Sequence, residues 1–443
     1  MPLKPLASLK NIAGQRVLVR CDFDIPLARR GQTQTGTQTG TRTNAEFKIA
    51  DDSRLQACLP TIKYLLKKKA KIILIGHLGR PGGRIVPELS LVPIKDRLEQ
   101  LLRIIPLRGI PHHQTGKMVA ENWGTDYGLS PYGGSPLSEQ KKWSRKIGGR
   151  ITFIDKIDRY LGPAVSRVVG QMASGEIIML ENLRFSDREE KNCRRFAKKL
   201  SLLADYYINE AFAVSHRNEA SVSAIREYLP SYAGLHLTEE IKQLSSAVSH
   251  PLKPLVLIIG GAKIETKLPV IKQFIGKADY ILVGGAVANN FLKAEGVEVG
   301  KSLVDNEYLG EAQKILALKI KNYNLFKNYK IKNSKIILPL DWQVQDDKIL
   351  DIGPATIKFY QDIIRQAKMI IWNGPMGKFE DQRFKIGTEK IAQAIIKSPA
   401  RVIIGGGETS EILKRKKIPT NVFVSVGGGA MLEFLGGKKL PGL

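Results

Sequence analysis

The feature that most constrains the fold is an alternation between short aliphatic runs and amphipathic stretches, with a turn after each run. The runs are RVLVR (16–20), KIILIG (71–76), EIIMLE (176–181), DYYINE (205–210), LVLIIGG (255–261), DYILVGG (279–285), KIILPLD (335–341), KMIIWNG (368–374) and RVIIGGG (401–407). Continuous apolar runs of this length are typical of strands that helices cover on both faces. The alternation therefore predicts doubly wound, parallel α/β sheets, which bind ligands at the carboxyl ends of their strands.

The length of 443 residues favours two domains, because a single core rarely grows this large. Near residues 235–252 a helical pattern with Thr238 as its N-cap, and Glu239 and Glu240 in its first turn, leads into the proline-bounded SHPLKP. We predict an N-terminal domain over 1–235, a connecting helix and hinge over 236–251, and a C-terminal domain over 252–430.

Two segments have the composition of insertions, near residues 30–44 and 104–149. The first contains the Gly/Thr/Gln tract GQTQTGTQTGTRT, and the second scatters Gly, Pro, Trp and His before the basic KKWSRKIGGR. Tracts this poor in apolar groups do not fold alone, and loops this long are uncommon inside a compact domain. We interpret the second as partly ordered surface decoration, with His112 and His113 solvated rather than metal-bound.

Bulk composition narrows the class of protein. Hydrophobic residues make up 43% and charged residues 25%, as in globular proteins. No apolar stretch approaches the roughly 20 residues of a membrane span, and the N-terminus lacks the apolar centre of a signal peptide. The separated Cys21, Cys58 and Cys193 suggest reduced thiols, so we expect a cytoplasmic protein. The net charge of +27 favours anionic partners.

In the first half, arginines and histidines follow the predicted strands. They are Arg20 with Asp22 and Asp24, His77 with Arg80, Arg184, and His216 with Arg217; Arg54 opens a helical pattern. Any one arginine could be a solvated charge at a helix end. Because guanidinium groups bind phosphate and carboxylate oxygens in bidentate fashion, several at one sheet edge predict a pocket for a small, multiply charged anion.

In the second half, glycine clusters take that position. GGAK (260–263), GGA (284–286), GGGETS (405–410) and GGGA (427–430) each follow an apolar run, and Lys263 and Lys267 accompany the first. A single cluster could be only a tight turn, but four in one domain favour backbone binding of nucleotide phosphates. GVEVGKS (296–302) is one residue short of a P-loop, and no dinucleotide fingerprint follows a strand, which disfavours a nicotinamide dehydrogenase.

Taken in order, these motifs resemble those of the phosphoglycerate kinase family. The matching segments are VRCDFDIPL, HLGRP, LENLRF, AFAVSHR, GGAKIETK, DIGP, WNGPMGKFE, IIGGGETS and VGGGAMLEFL. The resemblance implies two doubly wound α/β domains joined by a helix and hinge, with the tail 431–443 returning to the first domain. It also implies a monomeric glycolytic enzyme that moves a phosphoryl group between 1,3-bisphosphoglycerate plus ADP and 3-phosphoglycerate plus ATP, with Mg²⁺, by hinge closure.

Carried over position by position, the resemblance assigns three sets of site residues. The triose acid would be held by Arg20, Asp22, Phe23, Asp24, Arg54, His77, Leu78, Gly79, Arg80, Arg184, His216 and Arg217. The nucleotide would be held by Gly261, Ala262, Lys263, Lys267, Gly285, Gly353, Pro375, Glu380, Gly405, Gly406, Gly407, Glu408 and Thr409, with Glu408 toward the metal-nucleotide. Arg54, Lys263, Gly405 and Gly428 would stabilise the charge of the transferring phosphoryl group.

Four positions depart from the family pattern. Asp24 stands in place of Asn, Glu210 and Glu408 each stand in place of Asp, and Val426 stands in place of Thr. Both Asp-to-Glu changes preserve charge, so an active enzyme is expected. The alternative interpretation is a non-catalytic scaffold that binds nucleic acid or another acidic partner, supported by the basic residues Lys141, Lys142, Arg145, Lys146 and Arg150 around Trp143.

Overall fold

The computed structural model describes residues 3–29, 47–102, 151–155, 162–318, 334–413 and 417–443. The two insertions predicted from composition lie outside these ranges. Within them the chain forms two compact units, Met1–Thr238 together with Pro441–Leu443, and Glu239–Leu440. No helix of the described part combines the length and apolar character needed to cross a bilayer.

The first unit is built on a seven-stranded parallel sheet in the order β1-β9-β8-β2-β5-β7-β6. Its strands are β1 (Lys4–Pro5), β2 (Arg16–Arg20), β5 (Lys71–Ile75), β6 (Ile151–Ile154), β7 (Ile177–Leu180), β8 (Tyr206–Asn209) and β9 (Ser231–Ala233). A separate antiparallel pair joins β3 (Leu27–Arg29) to β4 (Phe47–Ile49). The parallel sheet predicted from the continuous apolar runs is confirmed.

Helices cover both faces of this sheet. They are α1 (Ser53–Lys67), α2 (Val92–Leu101), α3 (Pro163–Gly170), α4 (Asp187–Glu190) and α5 (Arg194–Ser201). Val17 and Val19 of β2 pack into one hydrophobic cluster, whereas Leu18 between them packs into another. Burial of alternate residues on opposite faces explains why the run is apolar throughout.

The connecting helix α6 (Leu235–Ser249) begins before Thr238, so Thr238 is not its N-cap. The Thr238 hydroxyl instead donates 2.7 Å to the carbonyl of Gly234, one turn back. The first turn is capped by the Glu210 carboxylate at the end of β8, which accepts from the amides of His236 (3.0 Å) and Leu237 (3.3 Å). A carboxylate near a helix N-terminus satisfies donors that have no partner within the helix.

The second unit contains a six-stranded parallel sheet in the order β12-β11-β10-β15-β16-β17. Its strands are β10 (Leu255–Ile259), β11 (Tyr280–Val283), β12 (Ile336–Ile337), β15 (Met369–Asn373), β16 (Arg401–Gly405) and β17 (Val422–Ser425). An antiparallel pair, β13 (Trp342–Gln345) and β14 (Lys348–Ile352), stands apart. The predicted strand KIILPLD is reduced to two residues, because Pro339 lacks the amide that would continue the ladder.

The helices of the second unit complete its α/β layers. They are α7 (Leu268–Phe274), α8 (Gly285–Ala294), α9 (Leu309–Leu316), α10 (Pro354–Gln366), α11 (Ile386–Lys397), α12 (Gly407–Leu413) and α13 (Gly429–Leu435). Helix α13 extends into the predicted tail 431–443 but groups with the second unit. Pro441–Leu443 group with the first, where the Gly442 amide donates 2.8 Å to the carbonyl of Ser215.

Candidate functional site

Charged residues of the first unit converge at the carboxyl edge of its sheet. Strand β2 lies between β5 and β8, so the turns after these strands and after β7 meet at one edge. Arg20 ends β2, His77 follows β5, and Arg184 follows β7. The Arg20 Nη2 atom lies 2.7 Å from His77 Nδ1, and Arg217 Nη1 lies 3.5 Å from His77 Nε2. The structure therefore brings together residues that the sequence separates by up to 197 positions, which is the distance along the chain from Arg20 to Arg217.

His77 is fully buried at the centre of this cluster. Burial lowers the pKa of His77 to about 4, and the nearby positive charges of Arg20 and Arg184 add to the effect, while Asp24 opposes it. The imidazole is therefore neutral at pH 7. Because Arg20 donates to Nδ1, the remaining ring proton resides on Nε2, which lies 3.7 Å from Asp24 Oδ2.

Two aspartates after β2 connect this cluster to helix α1. Arg54 Nη1 lies 3.2 Å from Asp22 Oδ2 and donates 2.8 Å to the backbone carbonyl of Asp24. The Asp24 carboxylate accepts from the amide of Gly79 at 2.9 Å. Burial would raise the pKa of Asp24, but the contacts with His77 and Gly79 hold it well below its ordinary value. Asp24 is therefore an anion at neutral pH.

Glu219 is the site residue that sequence reasoning missed. It is buried, and its Oε1 atom pairs with Arg184 Nη2 and lies 3.5 Å from Arg217 Nη1. Its Oε2 atom lies 3.9 Å from Arg20 Nη2. Burial opposes ionisation, but the charges of Arg20 and Arg184 hold the pKa of Glu219 below its ordinary value. The signal that could have found it is the burial expected of Arg20 in a strand, because a buried guanidinium requires a buried anion.

The other residues predicted to hold the triose acid differ in exposure. Phe23 and Leu78 are buried, His216 and Arg217 are half-buried, and Arg80 is exposed. Arg20 is fully buried and directs its guanidinium to His77, to the hydroxyl of Ser221 (2.9 Å) and to the carbonyl of Cys21. Arg20 therefore supports the pocket from behind, whereas Arg54, Arg80 and Arg217 reach solvent.

In the second unit, glycine-containing turns meet at the carboxyl ends of β10 and β15. The Gly260 amide donates a 2.9 Å hydrogen bond to the backbone carbonyl of Asn373, and the Gly261 amide donates one of 2.8 Å to the carbonyl of Pro375. Gly374 adopts a φ of +89°, and a Cβ at that position would lie 2.5 Å from the carbonyl carbon of Gly260. Only glycine fits where the two backbones approach this closely. These turns lie at the point where the strand order of the sheet reverses.

Lys267 and Asn373 form the polar centre of this edge. Lys267 is buried and its Nζ atom donates to Asn373 Oδ1. Burial lowers the pKa of Lys267 to about 8, and the charge of Glu408 opposes the shift. The Asn373 amide donates 2.9 Å to the carbonyl of Gly405, and the Thr409 hydroxyl accepts from the Gly374 amide at 2.9 Å. The Gly405–Thr409 turn is thereby fixed against β15.

The remaining residues predicted to hold the nucleotide or the transferring phosphoryl group divide into exposed, half-buried and buried sets. The exposed ones are Ala262, Lys263, Glu380, Gly407 and Glu408; Gly261, Gly285, Gly406 and Gly428 are half-buried; Gly353, Pro375, Gly405 and Thr409 are buried. Gly353 precedes α10, whose first turn is capped by the Asp341 carboxylate through the amides of Ala355 and Thr356. Because the side chains of Lys263 and Glu408 are exposed, a ligand in solvent can reach both.

An apolar pocket adjoins these turns at the start of helix α8. Its walls include Gly285, Ala288, Leu292, Trp342, Ile352 and Met376. Trp342 and Ile352 belong to the β13–β14 pair, which thus forms one wall. A mostly apolar lining with a few polar groups, here Asn289 and Asp351, is typical of small-molecule pockets.

Comparison with known proteins identifies the family to which the chain is similar. Residues 7–122 and 138–438 match the family model described as phosphoglycerate kinase. The phosphoglycerate kinase of Chloroflexus aggregans is 35% identical over 419 residues, which cover 90% of this chain and 87% of that protein. That of Desulfosudis oleivorans is 35% identical over 451 residues, covering 99% and 98%. The solved structure of phosphoglycerate kinase from Coxiella burnetii has 30% identity and a TM-score of 0.70, covering 100% of this chain and 98% of that one.

Proposed function

Because the chain belongs to the phosphoglycerate kinase family, we propose that its two sites act on the two substrates of one phosphoryl transfer. The chain is a glycolytic phosphotransferase that acts on small molecules, including a nucleotide. The reaction proposed is the reversible exchange between 1,3-bisphosphoglycerate plus ADP and 3-phosphoglycerate plus ATP. The observation that supports the assignment of sites is that each of two parallel sheets gathers its candidate anion-binding residues at its carboxyl edge.

The triose acid binds at the edge of the first sheet. Arg54 and Arg217 reach solvent there, and Arg184 stands behind them, so guanidinium groups can take the carboxylate and phosphate oxygens of the acid. Neutral His77 contributes an N–H donor rather than a charge. Asp22 pairs with Arg54 and presents a carboxylate that can accept a hydrogen bond from the hydroxyl of the acid.

The nucleotide binds at the edge of the second sheet. The pocket at the start of α8 takes the base, exposed Glu380 takes the ribose hydroxyls, and the turns at 405–407 and 427–429 line the phosphates. Lys263 and Lys267 stand beside the phosphates. Backbone amides and lysines of this kind bind anions without a dedicated sequence motif.

Catalysis of this transfer requires alignment and charge neutralisation, with no covalent intermediate on the protein. We assign the developing charge to Arg54 and Lys263, with support from backbone N–H groups at Gly405 and Gly428. The reacting groups are carried by different units, so hinge closure must bring them together and exclude water. X-ray scattering should show compaction when both substrates bind; unchanged scattering, together with full turnover in a hinge-crosslinked enzyme, would contradict closure.

The exposed carboxylate of Glu408 fits Mg²⁺ delivered on the nucleotide. Mg²⁺ prefers oxygen ligands and is commonly held by one or two carboxylates together with substrate phosphates. In the described part of the chain, no three or more His, Cys, Asp or Glu side chains gather into a metal cage. When bound, Mg²⁺ would neutralise charge on the nucleotide phosphates, and Glu408 would orient the complex.

The direct test is a coupled assay with 3-phosphoglycerate, ATP and Mg²⁺. Wild type should form ADP, and Lys263→Ala and Arg54→Ala should each lower kcat by roughly 10²-fold, as loss of one electrostatic donor does. Lys390→Ala is the matched control, because it removes an exposed lysine from helix α11. Absence of ADP formation by the wild type would refute the reaction, and an unchanged kcat in both variants would refute the assignment of residues.

We also propose that the enzyme works as a cytoplasmic monomer with small molecules as its partners. Size-exclusion chromatography with light scattering should give the mass of one chain, 49.2 kDa. A mass near twice that value would contradict the proposal.

A further inference from the structure

We propose that Glu219 is a positioning residue that acts as an internal counter-anion, competing with the triose acid for Arg184 and Arg217. The inference rests on the proposed triose site and assigns to that site a determinant of its affinity. Glu219 lies two residues beyond Arg217 in the segment SHRNEAS.

The geometry makes one carboxylate serve three guanidinium groups. Glu219 Oε1 pairs with Arg184 Nη2 and stands 3.5 Å from Arg217 Nη1, while Oε2 stands 3.9 Å from Arg20 Nη2. Oε2 has no hydrogen-bond partner in the described part of the chain. The contact of Oε2 with Arg20 is thus purely electrostatic, and Glu219 is held by charge more than by a saturated hydrogen-bond network.

The pocket is consequently much less positive than its arginines suggest. The guanidiniums of Arg20, Arg54, Arg184 and Arg217 face the carboxylates of Asp22, Asp24, Glu190 and Glu219, and His77 is neutral. Of these four carboxylates, Glu219 alone contacts both Arg184 and Arg217, whereas Glu190 contacts only Arg184, through Nε at 3.4 Å. An acid that binds these arginines must share their N–H groups with Glu219 and approach its negative charge.

Burial determines how strongly this charge is felt. Only 5% of Glu219 is exposed, whereas the side chain of Arg217 is 25% exposed and faces the incoming ligand. Solvent screens a buried carboxylate poorly, so its repulsion extends to an anion a few ångströms away. Glu219 therefore holds the arginines in place while it limits the affinity of the site for anions.

The test is Glu219→Gln, which removes the charge but keeps a hydrogen-bond acceptor and nearly the same shape. At low ionic strength the KM for 3-phosphoglycerate should fall roughly fivefold, and the inhibition constant of inorganic sulfate should fall with it. The KM for ATP should stay within about twofold, because the nucleotide binds in the other unit. The difference from wild type should persist as salt rises, because a buried charge is screened much less than an exposed one.

Two further variants complete the design. Glu219→Asp retains the charge but draws it back by one methylene, so the KM for 3-phosphoglycerate should lie between those of wild type and Glu219→Gln; this variant also serves if the glutamine variant does not fold. Glu227→Gln removes an exposed carboxylate that pairs with Arg194 in the same unit, and it controls for net charge.

Each outcome decides the question. A lower KM in Glu219→Gln, absent in Glu227→Gln, supports the counter-anion. An unchanged or higher KM in a folded Glu219→Gln or Glu219→Asp variant overturns it and leaves Glu219 a structural ion pair. If the wild type itself does not phosphorylate 3-phosphoglycerate, the proposed function fails first, and this result is distinct from an active enzyme whose KM ignores Glu219.

Discussion

The Gly374→Ala variant tests whether close backbone contact builds the nucleotide edge. Gly374 has a φ of +89°, and its new Cβ would lie 2.5 Å from the carbonyl carbon of Gly260 and 3.0 Å from the amide nitrogen of Gly261. An L-residue held at positive φ costs about 1–3 kcal/mol, and overpacking costs a further 1–3 kcal/mol. We therefore expect a loss of about 2–6 kcal/mol in the free energy of unfolding of the second unit.

The loss is measured by urea unfolding followed by circular dichroism, together with the KM for ATP. Because β10 and β15 must separate to admit the methyl group, the KM for ATP should rise while the KM for 3-phosphoglycerate stays near that of wild type. Gly310→Ala is the matched control: Gly310 lies in helix α9 with open space at its Cβ, so alanine there should be neutral or stabilising by up to about 1 kcal/mol. A Gly374→Ala variant within about 1 kcal/mol of wild type would refute the reasoning.

Three other predictions follow from single contacts. As pH rises through about 8, Lys267 of the ligand-free enzyme loses its proton, so kcat/KM for ATP should fall. A pH–rate profile of Lys267→Arg should lack this fall, and a variant profile identical to that of wild type would contradict the prediction. Burial raises the pKa values of Glu189 and Glu210 to about 7, above the unfolded value of 4.5. Between pH 4.5 and 7 the folded state therefore binds more protons than the unfolded state, and it loses stability as pH rises through this range. Glu189→Gln should remove about half of this slope in urea titrations between pH 4.5 and 7, and an unaltered slope would argue against it. Asp341→Ala uncaps α10 and should cost about 1–2 kcal/mol in the same assay, whereas no loss would show that the cap contributes nothing.

Strands buried on both faces were predictable because such strands consist of uninterrupted aliphatic residues. RVLVR became β2 and LVLIIGG became β10, each at the centre of its sheet. The edge strand β17 (Val422–Ser425) was not predicted, since four residues with half-buried positions carry little pattern. The start of α6 was also misplaced, because the helix is capped by a residue distant in sequence. Glu210, which accepts a hydrogen bond from the His236 amide, lies 26 residues before it.

The residues of the candidate site also differ in whether the sequence could predict them. Arg20, His77 and Arg184 directly follow strands, so topology alone gathers them at one edge. Glu219 could not be found this way, because a glutamate in a polar segment is ordinarily solvated. Its burial depends on Arg20 and Arg184, which are distant in sequence, together with neighbouring Arg217. Nor could sequence indicate that His77 is neutral, since that depends on enclosure by those same charges.

The placement of the last three residues bears on how this protein can be divided in the laboratory. The carbonyl of Gly442 accepts a 3.0 Å hydrogen bond from the side-chain amide of Asn209, and the carbonyl of Pro441 accepts one of 2.6 Å from Arg226 Nη1. A recombinant fragment that stops at Thr238 would lack both acceptors and expose the buried amide of Asn209. The first unit is thus a discontinuous folding unit, and it should be produced either with a synthetic peptide carrying 441–443 or as a circular permutant that joins those residues to its own N-terminus.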